Sequence, residues 1–171
     1  MCGIIIIKSK TIDKKIYSKF KKSLNLLKSR GPDETKIFKS NGLLVGFTRL
    51  SINNIKNGSQ PFISSCKKYL IVFNGEIVNY KLLIKFLRNK KINLKYAHEA
   101  EVILNLYKIY GKDCVNFLRG FFSFAVIELK TNNIFAAVDR YGIKPMYYCK
   151  NKNKKTTILT SDFSVLLKSK L

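Results

Sequence analysis

The stretch "FFSFAVI" at 121–127 sets the first constraint: seven residues with one hydroxyl and no charge. A strand sends alternate side chains to opposite faces, so an apolar run without alternation belongs to a sheet covered on both faces. "CGIIIIKS" near the N-terminus repeats the pattern with β-branched residues and reads as a buried strand. The "GIIII" run is too short to span a membrane and has no small-residue cleavage site after it, so neither an anchor nor a leader is read there.

Helical periodicity appears between such runs. In "TIDKKIYSKFKKSLNLLKSRGPD", Ile16, Phe20, Leu24 and Leu27 recur on one face with lysines on the other. Thr11 or Asp13 is placed to cap this helix, and Gly31-Pro32 to stop it. "TKIFKSNGLLVGFTRLSI" predicts two strands around a Ser40-Asn41-Gly42 turn, and "KKYLIVFNGEI" a strand ending in an Asn74-Gly75 turn. Further helices are predicted near 80–90, striped by Leu83 and Leu87, and near 99–110, striped by Val102, Leu106 and Tyr110. Apolar strands flank Thr131-Asn132-Asn133, a last strand lies near "TTILTSD", and "NKNKK" at 151–155 reads as an exposed loop. Strands in runs, joined by hairpin turns and interrupted by a few helices, predict an α+β fold with antiparallel sheets.

A length of 171 residues fits one domain, and 46% hydrophobic residues exclude a disordered chain. The net charge of +23, from 33 basic and 10 acidic residues, raises polyanion binding as a possibility. The lysines, however, are spread along the whole chain, and arginine, the usual base reader, is scarce. Lys, Asn and Ile are abundant together, as A/T-rich codons would produce. A solvated basic surface is the simpler reading, which argues against a nucleic-acid partner. Cys2, Cys66, Cys114 and Cys149 form no CxxC pair, so neither a disulfide framework nor a zinc site is expected, and a reducing cytoplasm fits.

Candidate catalytic groups are few. His98 is the only histidine, and no GxxxxGK[ST] phosphate loop is present. Cys2 needs neither. Its small side chain permits removal of Met1, and the freed α-amine has an ordinary pKa of about 7.7–8.0, near working pH. That amine can take the thiol proton, directly or through one water, and return it to a leaving ammonia. Gly3 beside it would let the backbone approach a substrate.

"CGI" at the start, "RGPD" at 30–33, "TRLSI" at 48–52, "GSQPF" at 58–62, "FNGEIVNY" at 73–80 and "DRYGIKPMYY" at 139–148 occur in the order seen in class II glutamine amidotransferase domains. The set resembles most closely the N-terminal glutaminase domain of glutamine-hydrolysing asparagine synthetases, and it covers nearly the whole chain. The glucosamine-phosphate synthase and phosphoribosyl-pyrophosphate amidotransferase relatives share the N-terminal Cys but not these forms of the other motifs.

The resemblance implies the four-layer αββα sandwich of N-terminal nucleophile hydrolases over residues 1–171. It implies that Cys2 attacks the glutamine side-chain amide, with the Asn74 side chain and the Gly75 N–H as oxyanion hole. Arg49 would grip the substrate α-carboxylate, and Glu76 with Leu50, Ser51, Ile52 and Asn53 would hold the amino-acid end. Taken alone, Asn74-Gly75 is an ordinary turn dipeptide, Arg49 a surface ion-pair former, and "RGPD" a structural helix stop.

Two departures from the family stand out. "AHEAEVIL" at 97–104 aligns with a segment usually resembling "SDTEV", which puts Glu99 where an aspartate binds the glutamine α-amino group. The extra methylene adds about 1.5 Å of reach: either the loop has shifted back or glutamine binding is weakened, and His98 beside it could crowd or tune the site. The chain also has no SGGxDS-like loop, so the synthetase domain is expected elsewhere, together with its ATP and Mg. The amidotransferase part is expected to need no metal or cofactor, to be cytoplasmic and off membranes, and to supply ammonia to an ATP-dependent synthetase. The alternative is a catalytically weak relative kept as a binding module for a synthetase partner or a polyanion.

Overall fold

The computed structural model describes residues 1–52, 58–151, 153 and 155–169. The chain divides into two compact units, one of residues 1–51 and 145–171, the other of residues 52–144.

The first unit is built on β1 (Gly3–Lys8), β2 (Glu34–Ser40), β3 (Leu43–Arg49), β8 (Tyr147–Asn151) and β9 (Thr156–Thr160), in the order β2-β3-β1-β9-β8. Every neighbouring pair is antiparallel. Asn41-Gly42 makes the β2–β3 turn as expected, with Gly42 in the left-handed region at φ 71°. Helix α1 (Lys14–Leu26) starts at Asp13, whose carboxylate accepts the Ile16 N–H at 2.6 Å. Its predicted stripe is the face that packs: Phe20, Leu24 and Leu27 meet Ile5, Ile7, Leu44 and Ile158, joined by Val165 of α4 (Phe163–Ser169). Ile4 and Ile6, on the opposite face of β1, are equally buried. This strand is therefore covered on both faces, which is why its sequence lacks alternation. Helix α4 has no counterpart among the sequence expectations.

The second unit has β4 (Phe62–Ile63), β5 (Tyr69–Ile77), β6 (Gly120–Glu128) and β7 (Asn133–Val138), in that order and again antiparallel. Leu83 and Leu87 of α2 (Tyr80–Asn89) and Val102, Ile103 and Leu106 of α3 (Glu99–Tyr110) pack with Ile71, Phe73, Phe122, Phe124 and Val126 of the sheet. The run after α3, Gly111–Phe117, is a 3-10 helix that buries Cys114. One expectation fails here. Asn74-Gly75 is not a turn: β5 runs through it to Ile77, with Gly75 opposite Phe122.

Each unit thus supplies one sheet and one helical layer, the four layers an αββα fold requires, and the α+β class with antiparallel sheets holds. All four cysteines are free. Among the described residues no helix is long and apolar enough to cross a membrane.

Candidate active site

In the first unit, the β1–β3 register pairs Gly3 with Thr48 and carries Cys2 to the residues after β3. The thiol points at the Leu50 carbonyl, 3.9 Å away. Gly3 is required by packing, since a Cβ there would overlap the Thr48 hydroxyl and Leu27. That hydroxyl donates to the Leu27 carbonyl at 2.8 Å and ties the end of α1 to β3.

"RGPD" does more than stop the helix. Gly31 lies against the Thr48–Arg49 backbone so closely that a Cβ would collide with it. Pro32 forms a parallel bridge with Arg49, and the Asp33 N–H donates to the Arg49 carbonyl at 3.0 Å. The Asp33 carboxylate accepts the Ser51 N–H at 2.6 Å. Arg30 pairs with Asp162 at 3.2 Å. The contacts of Gly31, Pro32 and Asp33 hold the backbone from Thr48 to Ser51, a segment with three of the residues expected to hold glutamine.

Burial pushes the Cys2 thiol above its ordinary pKa; the N-terminal ammonium, Arg49 and Arg30 pull it down without cancelling that effect. The thiol is therefore protonated at neutral pH, and a nucleophile in that state needs a base within reach. Met1 is half exposed, and its removal would give Cys2 an amine of its own.

In the second unit the candidate residues lie along one edge of β5. The Val78 N–H donates to the Arg119 carbonyl, which fixes the even-numbered residues of β5 as those that bond to β6. Odd-numbered residues turn their N–H groups to the other edge. There the Phe73 N–H is taken by the Gln60 side chain at 2.6 Å and the Ile77 N–H by the Glu99 carboxylate at 2.7 Å. Gly75 stands between them, and the same alternation sends its N–H to this edge. Its φ of 142° and its closeness to the Phe121 carbonyl exclude any side chain. Asn74 is buried, with its side chain on the sheet face opposite Phe73 and the α3 layer, and Glu76 is exposed.

Glu99 is the first residue of α3, and its contact to Ile77 gives it a structural duty that alignment alone did not suggest. Burial raises its pKa and the nearby Glu76 adds to this, against the Ile77 hydrogen bond, which lowers it. His98 is the N-cap of α3: Nδ1 accepts the Glu101 N–H at 3.1 Å, and its ring stacks on Tyr96 and meets Phe62 edge-on. The lone histidine thus serves as a helix cap. The Glu101 carboxylate accepts the N–H groups of Lys95, Tyr96 and Ala97 and so fixes the loop before it.

Asp139 of "DRYGIKPMYY" is a residue to which the sequence assigned no role. Its carboxylate accepts four N–H groups, from Tyr141, Ile143, Lys144 and, across to β6, Phe122, the residue opposite Gly75. Burial works against its charge, but the four donors outweigh it and hold the carboxyl below its usual range. Gly142, at φ 64°, makes the turn. Ile52 is largely exposed, and Asn53 lies outside the described residues. Among the described residues no three His, Cys, Asp or Glu side chains group as a metal site.

A family model described as "Glutamine amidotransferase domain" matches residues 1–171. Among curated proteins, the chain is 36% identical over 155 residues to asparagine synthetase (glutamine-hydrolyzing) 3 of Bacillus subtilis strain 168, a match covering 88% of the chain and 25% of that protein. It is 35% identical over 149 residues to a probable asparagine synthetase (glutamine-hydrolyzing) of Dictyostelium discoideum, covering 86% of the chain and 27% of that protein. The chain spans about a quarter of the length of the curated relatives it matches. Among solved structures, it superposes on the glutamine phosphoribosylpyrophosphate amidotransferase of B. subtilis, complexed with ADP and GMP, with a TM-score of 0.79. That match has 17% identity and covers 99% of this chain and 44% of the other, so it shows a shared fold.

Proposed function

The chain belongs to the glutamine amidotransferase domain family, and on that premise we propose that it is the glutaminase part, residues 1–171, of an asparagine synthetase-type protein. Cys2, freed of Met1, passes its thiol proton to its own α-amine and attacks the glutamine side-chain carbon. The side-chain amide of Asn74 and the N–H of Gly75 receive the oxyanion. The amine returns the proton to the leaving nitrogen, so ammonia departs and a glutamyl thioester remains; water then releases glutamate and restores the thiol. Arg49 holds the substrate α-carboxylate, Glu76 and Glu99 the α-ammonium, and Leu50 to Asn53 line the amino-acid end. The reaction uses no metal or organic cofactor; ATP and Mg belong to the synthetase that consumes the ammonia. The four free cysteines fit a reducing compartment such as the cytoplasm.

The observation that carries this reading is the edge of β5. A glycine that tolerates no side chain presents its N–H there, next to a buried asparagine, and both neighbouring N–H groups are held by side chains. A carbonyl oxygen gaining charge needs such fixed donors. The family match favours this enzyme over a binding module.

The test is glutamate release from glutamine by the purified chain, its mass first showing that Met1 is gone, beside Cys2→Ala. Turnover that disappears in Cys2→Ala is the expected result. A processed wild-type chain without turnover would overturn the proposal.

A further inference from the structure

Strand β4 has only two residues, yet its ladder with β5 is longer than that. Phe62 pairs with Ile71 and Ile63 with Leu70, a register that sets Ser64 opposite Tyr69 and Gln60 opposite Phe73. Both outer positions are bonded, and both use side chains. The Ser64 N–H donates to the Tyr69 carbonyl at 2.9 Å, and the Ser64 hydroxyl accepts the Tyr69 N–H at 3.1 Å. At the other end the Gln60 amide bonds Phe73 twice: Nε2 donates to the Phe73 carbonyl at 3.0 Å, and Oε1 accepts the Phe73 N–H at 2.6 Å.

A primary amide carries the same donor and acceptor as a peptide group. Gln60, 8% exposed, therefore adds one rung to the ladder where the main chain has left it. The rung sits at a critical place. The Phe73 carbonyl belongs to the peptide unit that also contains the Asn74 nitrogen. Holding that carbonyl fixes the plane from which the Asn74 side chain departs and from which the chain enters Gly75.

We propose that Gln60 is a positioning residue for glutamine hydrolysis, its side-chain amide replacing a strand residue to aim the two oxyanion donors that follow Phe73. The proposal rests on the glutaminase reading above, in which Asn74 and Gly75 are those donors. Gln60 touches no substrate in it; its effect passes through the backbone of β5. Such an effect falls on the chemical step, because the donors matter most when charge develops on the carbonyl oxygen.

The residue type is specific. A carboxylate at 60 can accept the Phe73 N–H, but at neutral pH it sets a second acceptor against the Phe73 carbonyl. An asparagine keeps both functions and withdraws them by about 1.5 Å. Gln60→Glu and Gln60→Asn are compared with wild type, and Ser64→Ala is the matched control that loses a side-chain rung at the far end of the same ladder. Each is assayed for kcat and KM on glutamine from pH 5.5 to 8.5, for the alkylation rate of Cys2, and for hydrogen exchange at the Phe73 and Asn74 amides.

Gln60→Glu is expected to keep the Cys2 alkylation rate and a KM within about twofold of wild type, with kcat at pH 8 lower by on the order of tenfold to a hundredfold, as for a displacement near 1 Å. The ratio of its kcat to that of wild type should rise as pH falls, because the protonated carboxyl regains an O–H donor for the Phe73 carbonyl. Ser64→Ala should keep its kcat. Gln60→Asn, which introduces no charge, carries the test if Gln60→Glu does not fold. Full kcat in the Gln60 variants with faster exchange at Phe73 overturns the proposal, and so does an equal loss of kcat in Ser64→Ala. A wild-type chain without turnover overturns the glutaminase reading itself, and the proposal with it.

Discussion

Asn74 stands in the middle of a strand, almost entirely buried, on the side of the sheet away from its helices. A polar amide in that position has one clear use in the proposed chemistry, as a donor to the oxyanion. Asn74→Ala should lower kcat by about 10²–10³-fold with little change in KM. Steady-state glutamate release measures this, and a loss below tenfold would remove Asn74 from the hole. Glu99 separates into two duties. Its raised pKa means the folded chain binds that proton more tightly than the unfolded chain does. The stabilising contribution is full below the unfolded value of about 4.3 and is lost as pH rises through the folded value. Glu99→Gln retains an acceptor for the Ile77 N–H and removes the buried charge. It should be at least as stable as wild type at pH 7 while raising KM for glutamine, since the α-ammonium loses a countercharge. A lower Tm with unchanged KM would make Glu99 a brace for β5 alone.

Among the elements, the loop after β7 depends most on one group. Asp139→Asn leaves two of the four N–H donors facing an amide NH₂, a loss of about 2 kcal/mol or more. The sign with pH is opposite to that of Glu99. A carboxyl whose folded pKa is depressed stabilises above its unfolded value, about 3.9, and loses that contribution as pH falls through the folded value. Urea midpoints between pH 2.5 and 7 should therefore show wild type and Asp139→Asn converging in acid; a constant gap would contradict the assignment. Helices α1, α2 and α3 and most strands were legible from the sequence because their signals are local: the Phe20-Leu24-Leu27 stripe, the Asn41-Gly42 turn and the Asp13 cap each lie within a few residues. Asn74-Gly75 misled for the same reason. The dipeptide forms turns, and only the register with β6 reveals a glycine extended beside another strand's carbonyl. The candidacy of Cys2 and its companions rests on motifs. Gln60, Asp33 and Asp139 lay inside motifs too, but each bonds a backbone group 13, 18 or 17 residues away, in the case of Asp139 beside three local N–H donors, and no local pattern encodes those distant bonds.

The whole molecule is strongly cationic. Lys14, Lys15, Lys21 and Lys22 are exposed on α1 alone, and the formal charge is +23. Self-repulsion on this scale disfavours the compact state, and salt shortens its range to about 8 Å at physiological strength. Tm should therefore rise between 10 and about 150 mM NaCl; a flat or falling trend would mean that the lysines are already neutralised within the fold. The same molecule must keep its sheet edges from recruiting other chains, because an edge of free N–H and C=O groups is a template for aggregation. On β5 that hazard is managed rung by rung, with Ser64, Gln60 and Glu99 occupying the positions that an incoming strand would need. What remains between Gln60 and Glu99 is a single donor at Gly75. A foreign strand cannot anneal to one rung, whereas one oxygen atom needs no more than that. In the proposed reaction the edge that admits a reacting carbonyl is by the same construction closed to a neighbour's backbone, which makes catalytic selectivity and colloidal safety one property of this strand.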